Sequence, residues 1–198
     1  MLVPGKLEIL AMRVRDPYEK IRASAAEELG AIDDPRAVDL LAEATKDKVK
    51  DVRINALRSL ARIASMSSIA VLIRSLEDSR ADVRIEAARL LGSLKVREAV
   101  PKLDGAIMRE LNTEAKETML QALGQIGDAR SIRTLSKFIN DRSSAIRWTA
   151  TWALGKIGRD TGSREAIDVL LRIERFSACK RCRREAATAL RYISPLRI

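Results

Sequence analysis

Asp78-Ser79-Arg80-Ala81-Asp82-Val83-Arg84-Ile85-Glu86-Ala87-Ala88-Arg89-Leu90-Leu91-Gly92 is the stretch from which the fold is read. Counting from Arg84 as offset zero, a branched apolar residue stands at −1, and small or apolar residues follow at +3, +4 and +7. Spacings of three and four put them on one stripe of a helix. The same kernel recurs as Ile21-Arg22, Val52-Arg53, Ala115-Lys116, Ile146-Arg147 and Cys182-Arg183. The basic residues at 22, 53, 84, 116, 147 and 183 are separated by steps of 31, 31, 32, 31 and 36. A fixed period of this length specifies a solenoid, in which each unit buries its apolar face by stacking on its neighbours.

Other offsets repeat with it. Gly30, Gly92, Gly124 and Gly155 stand at +8, with Ala61 as the near match. Glycine inside a helix costs about 1 kcal/mol against alanine, so its recurrence predicts close backbone packing. An acid precedes the base by six residues in Asp16, Asp47, Asp78, Glu110 and Asp141, and Ser177 replaces it in the last copy. Such an acid reads as a helix-capping or dipole partner. With the base it predicts a ladder of salt bridges between repeats, so these bases are structural rather than ligand-binding. Turns such as Asp33-Asp34-Pro35 and Gly127-Asp128-Ala129 lead into further apolar-periodic segments at Val38–Ala44, Ile69–Leu76, Val100–Ile107, Ile132–Ile139 and Ile167–Ile173. The expected architecture is all-α, a right-handed α-solenoid of about six helical hairpins. It forms a single domain over residues 1–198, with repeats near 5–30, 35–63, 66–94, 98–126, 129–157 and 163–193. The longer last step predicts extended loops around Arg159–Arg164 and Phe176–Cys179.

Composition agrees with close-packed helices: 46% of residues are hydrophobic and only 3% aromatic. The 32% of charged residues and the absence of histidine are in keeping with a thermophilic source. Net charge is +10, and residues 142–198 carry 13 basic and 5 acidic side chains of it. That asymmetry points to an acidic partner at the C-terminal end, nucleic acid among them. No apolar run is long enough to cross a membrane, and no signal-peptide pattern opens the chain. Two cysteines make no disulfide framework, so a reducing, cytoplasmic location is expected.

The string from Asp78 to Gly92 resembles the HEAT-like repeats first named after phycobilisome lyases, and so do Ile21–Gly30 and Ile146–Gly158. The resemblance covers nearly the whole chain. It implies an α-solenoid whose second helices line a concave groove, a scaffold that hosts adaptors, lyase subunits, hydroxylases and DNA glycosylases. On the second helices, offsets +1, +5 and +9 lie opposite the buried stripe. Row +1 reads Ala23, Ile54, Ile85, Glu117, Trp148, Arg184. Row +5 reads Glu27, Arg58, Arg89, Gln121, Trp152, Thr188, and row +9 reads Ala31, Arg62, Ser93, Gln125, Lys156, Tyr192.

Trp148 and Trp152 are the only tryptophans, one turn apart on this face. Tryptophan is enriched at binding hot spots, and exposed indoles need cover. The bland alternative is packing under the loop after Gly158 or against the last repeat. The expected partner-binding set is Trp148, Trp152, Arg89, Gln121, Lys156, Arg58, Arg62, Arg184 and Tyr192, meeting a protein segment. Charges along the inner face nearly balance, unlike a phosphate track of one sign. The alternative is nucleic-acid binding through Lys180, Arg181, Arg183, Arg184, Arg172 and Arg175. Cys179-x-x-Cys182 supplies too few ligands for zinc. Cys182 reads as a small buried residue, with a metal or disulfide shared between two chains as the competing reading. Without histidine, a phosphate loop or a nucleophile elbow, no catalytic residue, cofactor, metal or small-molecule substrate is expected. The reading is a non-catalytic scaffold, with a DNA-glycosylase-like activity (Glu117 beside Trp148 and Arg184) or a bilin-lyase-like one as minor alternatives that the resemblance implies.

Overall fold

The computed structural model describes residues 5–193 and is 78% helical, with no strand among them. Twelve α-helices pair in chain order. They are α1 (Lys6–Arg13) with α2 (Glu19–Leu29), α3 (Pro35–Ala44) with α4 (Lys50–Ile63), and α5 (Met66–Arg74) with α6 (Ala81–Ser93). There follow α7 (Val100–Arg109) with α8 (Thr113–Ile126), α9 (Ile132–Ser136) with α10 (Ser144–Thr161), and α11 (Arg164–Phe176) with α12 (Lys180–Ile193). The architecture is an all-α solenoid of helical hairpins. Its chain divides into two compact units, residues 1–94 and 95–198.

In the first unit α4 packs between α2 and α6; in the second α10 packs between α8 and α12. The kernel stripe is the buried face. Ala25, Ala26, Leu29, Val52, Ala56, Leu57, Leu60, Ala115, Met119, Leu120 and Leu123 are wholly inaccessible. The partly exposed stripe positions are Ile21, Ala187 and Leu190, in the first and last hairpins.

The recurrent glycine does what its cost suggested. A Cβ on Gly30 would lie 2.7 Å from Ser59 Cβ, and one on Gly124 would lie 2.9 Å from the Cα of Ala153. In both cases the glycine at +8 receives the residue at +6 of the next hairpin. Hydrogen bonds reinforce the seam: Ser59 Oγ donates to the Glu27 carbonyl (3.3 Å) and Asn55 Nδ2 to the Ala23 carbonyl (3.3 Å).

The predicted ladder is present between the first three hairpins. Arg22 pairs with Asp47 at 2.5 Å and Arg53 with Asp78 at 3.2 Å, with all four side chains at least 86% buried. A second duty of the base was not foreseen. Its guanidinium also donates to the carbonyl six residues back: Arg22 to Asp16, Arg53 to Asp47, Arg84 to Asp78, Arg147 to Asp141 and Arg183 to Ser177. The acid itself is no helix cap. Asp16, Asp47, Asp78 and Asp141 accept the backbone N–H of the residue two further on, closing an Asx turn just before the helix. Capping proper falls two residues later, where Asn112 and Ser143 accept the N–H of Ala115 and Ile146.

The extra residues of the last step form helix rather than the expected loops. α10 runs for 18 residues, left-handed Gly162 (φ 63°) ends it, and Ser163 caps α11, which has 13 residues. The predicted Ile132–Ile139 helix is shorter than expected. α9 stops at Ser136 and the chain turns through Phe138 and Asn140 toward Asp141.

A candidate partner-binding face

None of the +1, +5 and +9 side chains is buried, so the rows chosen from the sequence do face solvent. In the second unit α8, α10 and α12 lie side by side, and their rows form one surface. The α8 strip is acidic and amide-bearing, with Glu114, Glu117, Gln121 and Gln125. Half-buried Trp148, Trp152 and Lys156 occupy the α10 strip. Lys180, Arg181, Arg184, Thr188 and Tyr192 are exposed on α12. The surface therefore runs from carboxylate through indole to guanidinium.

Each indole is held on one side. The Arg181 guanidinium sits 4.0 Å from the centre of the Trp148 ring, a cation–π contact. The Trp152 ring lies over Gly124, where a Cβ would come within 2.8 Å of it. The contact of Trp148 with α12 realises part of the packing alternative, a rest against the last repeat. The rest of both rings is exposed to solvent. Thr149, wholly buried, donates from Oγ1 to Glu117 (3.2 Å), fixing that carboxylate beside the tryptophans. Lys156 bridges to Asp160 at 3.1 Å, and Arg159 lies 5.9 Å from the ring centre of exposed Tyr192. Among the described residues no carboxylate pairs with Arg184, Lys180, Arg172 or Arg175. Arg183 is turned inward onto the Ser177 carbonyl.

In the first unit the predicted arginines are already engaged. Arg58 (2.8 Å) and Arg89 (2.5 Å) both bind Glu86, whose side chain is 9% exposed. Burial pushes the Glu86 carboxyl upward, but the two guanidiniums outweigh it and hold the group below the ordinary carboxylate range. Arg62 donates to the Glu27 carbonyl at 2.7 Å. Glu27, Asn55, Arg58 and Arg62 line an open depression of about 310 Å³. It is polar, with no aromatic wall.

The sequence reading missed two features of this face. Arg181 was grouped with the nucleic-acid alternative rather than with Trp148. Glu86 was given no role of its own. Neither contact is readable from one helix, because both depend on the stagger between neighbouring hairpins. Arg58 at +5 meets Glu86 at +2, and Trp148 at +1 meets Arg181 at −2.

Cys179 and Cys182 are bonded to each other within the chain, with Cα atoms 5.2 Å apart. This differs from the bridge between two chains weighed above, because three residues across a helix start bring the two sulfurs together. Burial of Cys182 is complete, as its offset predicted. No group of three or more metal-binding side chains occurs among the described residues, and no helix there is long and apolar enough to cross a membrane.

A sequence model of HEAT repeats matches residues 7–92, 46–107 and 105–191. No curated protein matches the sequence at a significant level. Among solved structures, the CpcE–CpcF complex of phycocyanin lyase from Nostoc sp. PCC7120 superposes with a TM-score of 0.63 at 23% identity, over 95% of this chain and 77% of that one. An engineered protein gives 0.61 at 22% identity over 97% and 98% of the two chains. A designed armadillo-repeat protein in complex with the peptide (KR)4 gives 0.61 at 17%, over 96% and 100%. These likenesses concern the fold. The chain belongs to the HEAT-repeat family.

Proposed function

We propose that this HEAT-repeat chain is a non-catalytic scaffold that binds an extended or helical protein segment across α8, α10 and α12. The segment carries a large apolar side chain flanked by carboxylates. The observation that carries this is the order of the three strips, acid on α8, indole on α10 and, on α12, exposed cations that pair with no carboxylate among the described residues. An occupant seats its apolar side chain between Trp148 and Trp152. Its carboxylates meet Arg184 and the free edge of Arg181, and a base or amide donor at its other end meets Glu117 and Gln121. Lys156 and Tyr192 flank the same seat. On the first unit Arg58, Arg62 and Arg89 each already hold a partner and are left out of this seat.

The fold is one on which such a role is common. The designed armadillo neighbour holds a peptide of alternating lysine and arginine. Here the α12 cations select the opposite charge, so (KR)4 is the natural negative control. Binding of an acidic peptide with a central Leu or Trp should quench or shift the intrinsic tryptophan emission. It should weaken about 30-fold in the Trp148→Ala/Trp152→Ala variant, the loss expected for a hot spot of about 2 kcal/mol. Duplex and single-stranded nucleic acid are titrated alongside at about 50 and 200 mM salt. Tight nucleic-acid binding that collapses at the higher salt, untouched by the tryptophan variant, would overturn the protein-segment reading in favour of the α11–α12 cations.

A further inference from the structure

The Cys179–Cys182 pair takes no part in the face just described, and its placement is unlike that of an inert buried bridge. Cys179 stands immediately before α12, the position filled by Asn112 before α8 and Ser143 before α10. It does their work with sulfur: its Sγ accepts the backbone N–H of Cys182 at 3.2 Å, as Asn112 and Ser143 accept from Ala115 and Ile146. Cys182 stands at offset −1, where the other hairpins put Ile, Val or Ala, and is wholly inaccessible. One sulfur therefore caps a helix and is partly open to solvent, and the other lies in the core.

The accessible sulfur also has room beside it. Cys179, Ser177, Ala178, Asn140, Asp141 and Arg147 line a depression of about 340 Å³. Facing it are the charged groups Asp141 and Arg147 from the start of hairpin five's second helix. Lys180, Arg181 and Arg183 belong to α12 itself. Asp141 is occupied by the N–H of Ser143 and Arg147 by the Asp141 and Arg142 carbonyls. Arg183 pins the approach through the Ser177 carbonyl, and the Cys179 N–H donates to Ser177 Oγ at 3.2 Å. The helix start and the surplus of cations both favour the approach of an anionic thiol to Cys179.

We infer that Cys179–Cys182 is a reversible thiol–disulfide site, with Cys179 the attacked and attacking sulfur and Cys182 the buried resolving one. Its reaction partners are low-molecular-weight thiols and their disulfides, of the anionic glutathione class. In the reducing direction a thiolate RS⁻ attacks Cys179 Sγ. The Cys179–Cys182 bond breaks, and its electron pair leaves on Cys182 Sγ, which takes up a proton. A second RS⁻ attacks the R-bearing sulfur of the mixed disulfide and releases RSSR and the Cys179 thiolate. Two RSH are oxidised to RSSR as the protein disulfide gains two electrons and one proton, on Cys182, and the second proton passes to solvent or, where the thiolate is protonated, to Cys179. Oxidation runs the same steps backwards. In either state Cys179 sulfur remains the acceptor for the α12 N–H, so the helix start survives the cycle.

The test equilibrates the full chain in glutathione buffers of varied reduced-to-oxidised ratio, starting from both oxidised and reduced protein. Free thiols are then alkylated and counted by mass spectrometry. The expected result is one reversible transition between chains carrying no alkyl groups and chains carrying two, at the same ratio from both directions. In oxidised glutathione, Cys182→Ala should trap a mixed disulfide on Cys179, at least about tenfold faster than Cys179→Ala traps one on Cys182. Cys182→Val repeats the measurement with the residue found at Val52 and Val83, so a folding defect in one variant does not decide the outcome. A pair held in one state at every ratio, or equal trapping rates at the two sulfurs, would overturn the inference.

Discussion

Replacing Arg22 by methionine tests the arginine ladder on which the hairpin stacking rests. Arg22 is 8% and Asp47 11% exposed. Arg22 donates to both Asp47 oxygens, and to the Asp16 and Pro17 carbonyls at 2.9 Å. Methionine fills the same space and leaves the Asp47 carboxylate buried without its cation. Breaking a buried pair from one side costs about 3–5 kcal/mol. The lower end, about 3 kcal/mol, applies here because Asp47 keeps the Val49 N–H at 2.8 Å. In a repeat array the loss stays near the broken contact. Hydrogen exchange followed by mass spectrometry should therefore show peptides from α1–α4 exchanging about 150-fold faster. Asp47→Asn keeps the turn acceptor and should cost about half as much. Burial raises the Asp47 carboxyl, but the Arg22 and Val49 bonds outweigh it and hold the group below its ordinary value. The stability it contributes is present in full above about pH 4 and is lost as pH falls through the depressed folded value. Asp47→Asn should lack that part of the acid sensitivity. An acceleration of less than about threefold in Arg22→Met would refute the ladder as a source of stability.

Gly124→Ala should destabilise by about 1–3 kcal/mol in denaturant melts, because the new Cβ meets the Trp152 ring and the Ala153 backbone inside 3 Å. Asp104 is pushed above its ordinary value by burial, and its Oδ1 has no hydrogen-bond partner. Its penalty is absent below the unfolded-state value and complete above the raised folded one. Asp104→Asn should thus gain about 1 kcal/mol at neutral pH, with the gain shrinking in acid, as pH-dependent melts would show. Ala64 closes α4 in the left-handed region at φ 51°. Ala64→Gly should raise stability by up to about 1 kcal/mol in a thermal melt, where an interior alanine-to-glycine change would lower it.

Periodicity made the fold legible because a solenoid repeats its core chemistry. Val52, Val83 and Ile146 fill equivalent places, so one reading of the stripe serves all six hairpins. The +8 glycines were legible for the same reason, through their cost inside a helix. What was not legible lies between hairpins, at contacts that differ from copy to copy. The guanidinium of Arg181 lies on Trp148, and that of Arg58 on Glu86, because of the stagger between neighbouring second helices. No single helix reveals that stagger. Asp16 and Asp47, read as capping or dipole partners, close Asx turns rather than caps, because both motifs want a carboxylate before a helix, two residues apart. The long final step read as loop because an insertion in sequence does not announce that it will continue as α10 and α11.

The central claim is that α8, α10 and α12 present a face for an apolar segment with carboxylates. Selection from a random displayed-peptide library tests it without a prior choice of ligand. The account predicts enriched peptides with Asp or Glu beside a large apolar residue. They should lose about 30-fold in affinity on Trp148→Ala/Trp152→Ala and at least about fivefold on Arg184→Glu. Enrichment of basic peptides, or of peptides that bind both variants as tightly as the parent, would contradict it.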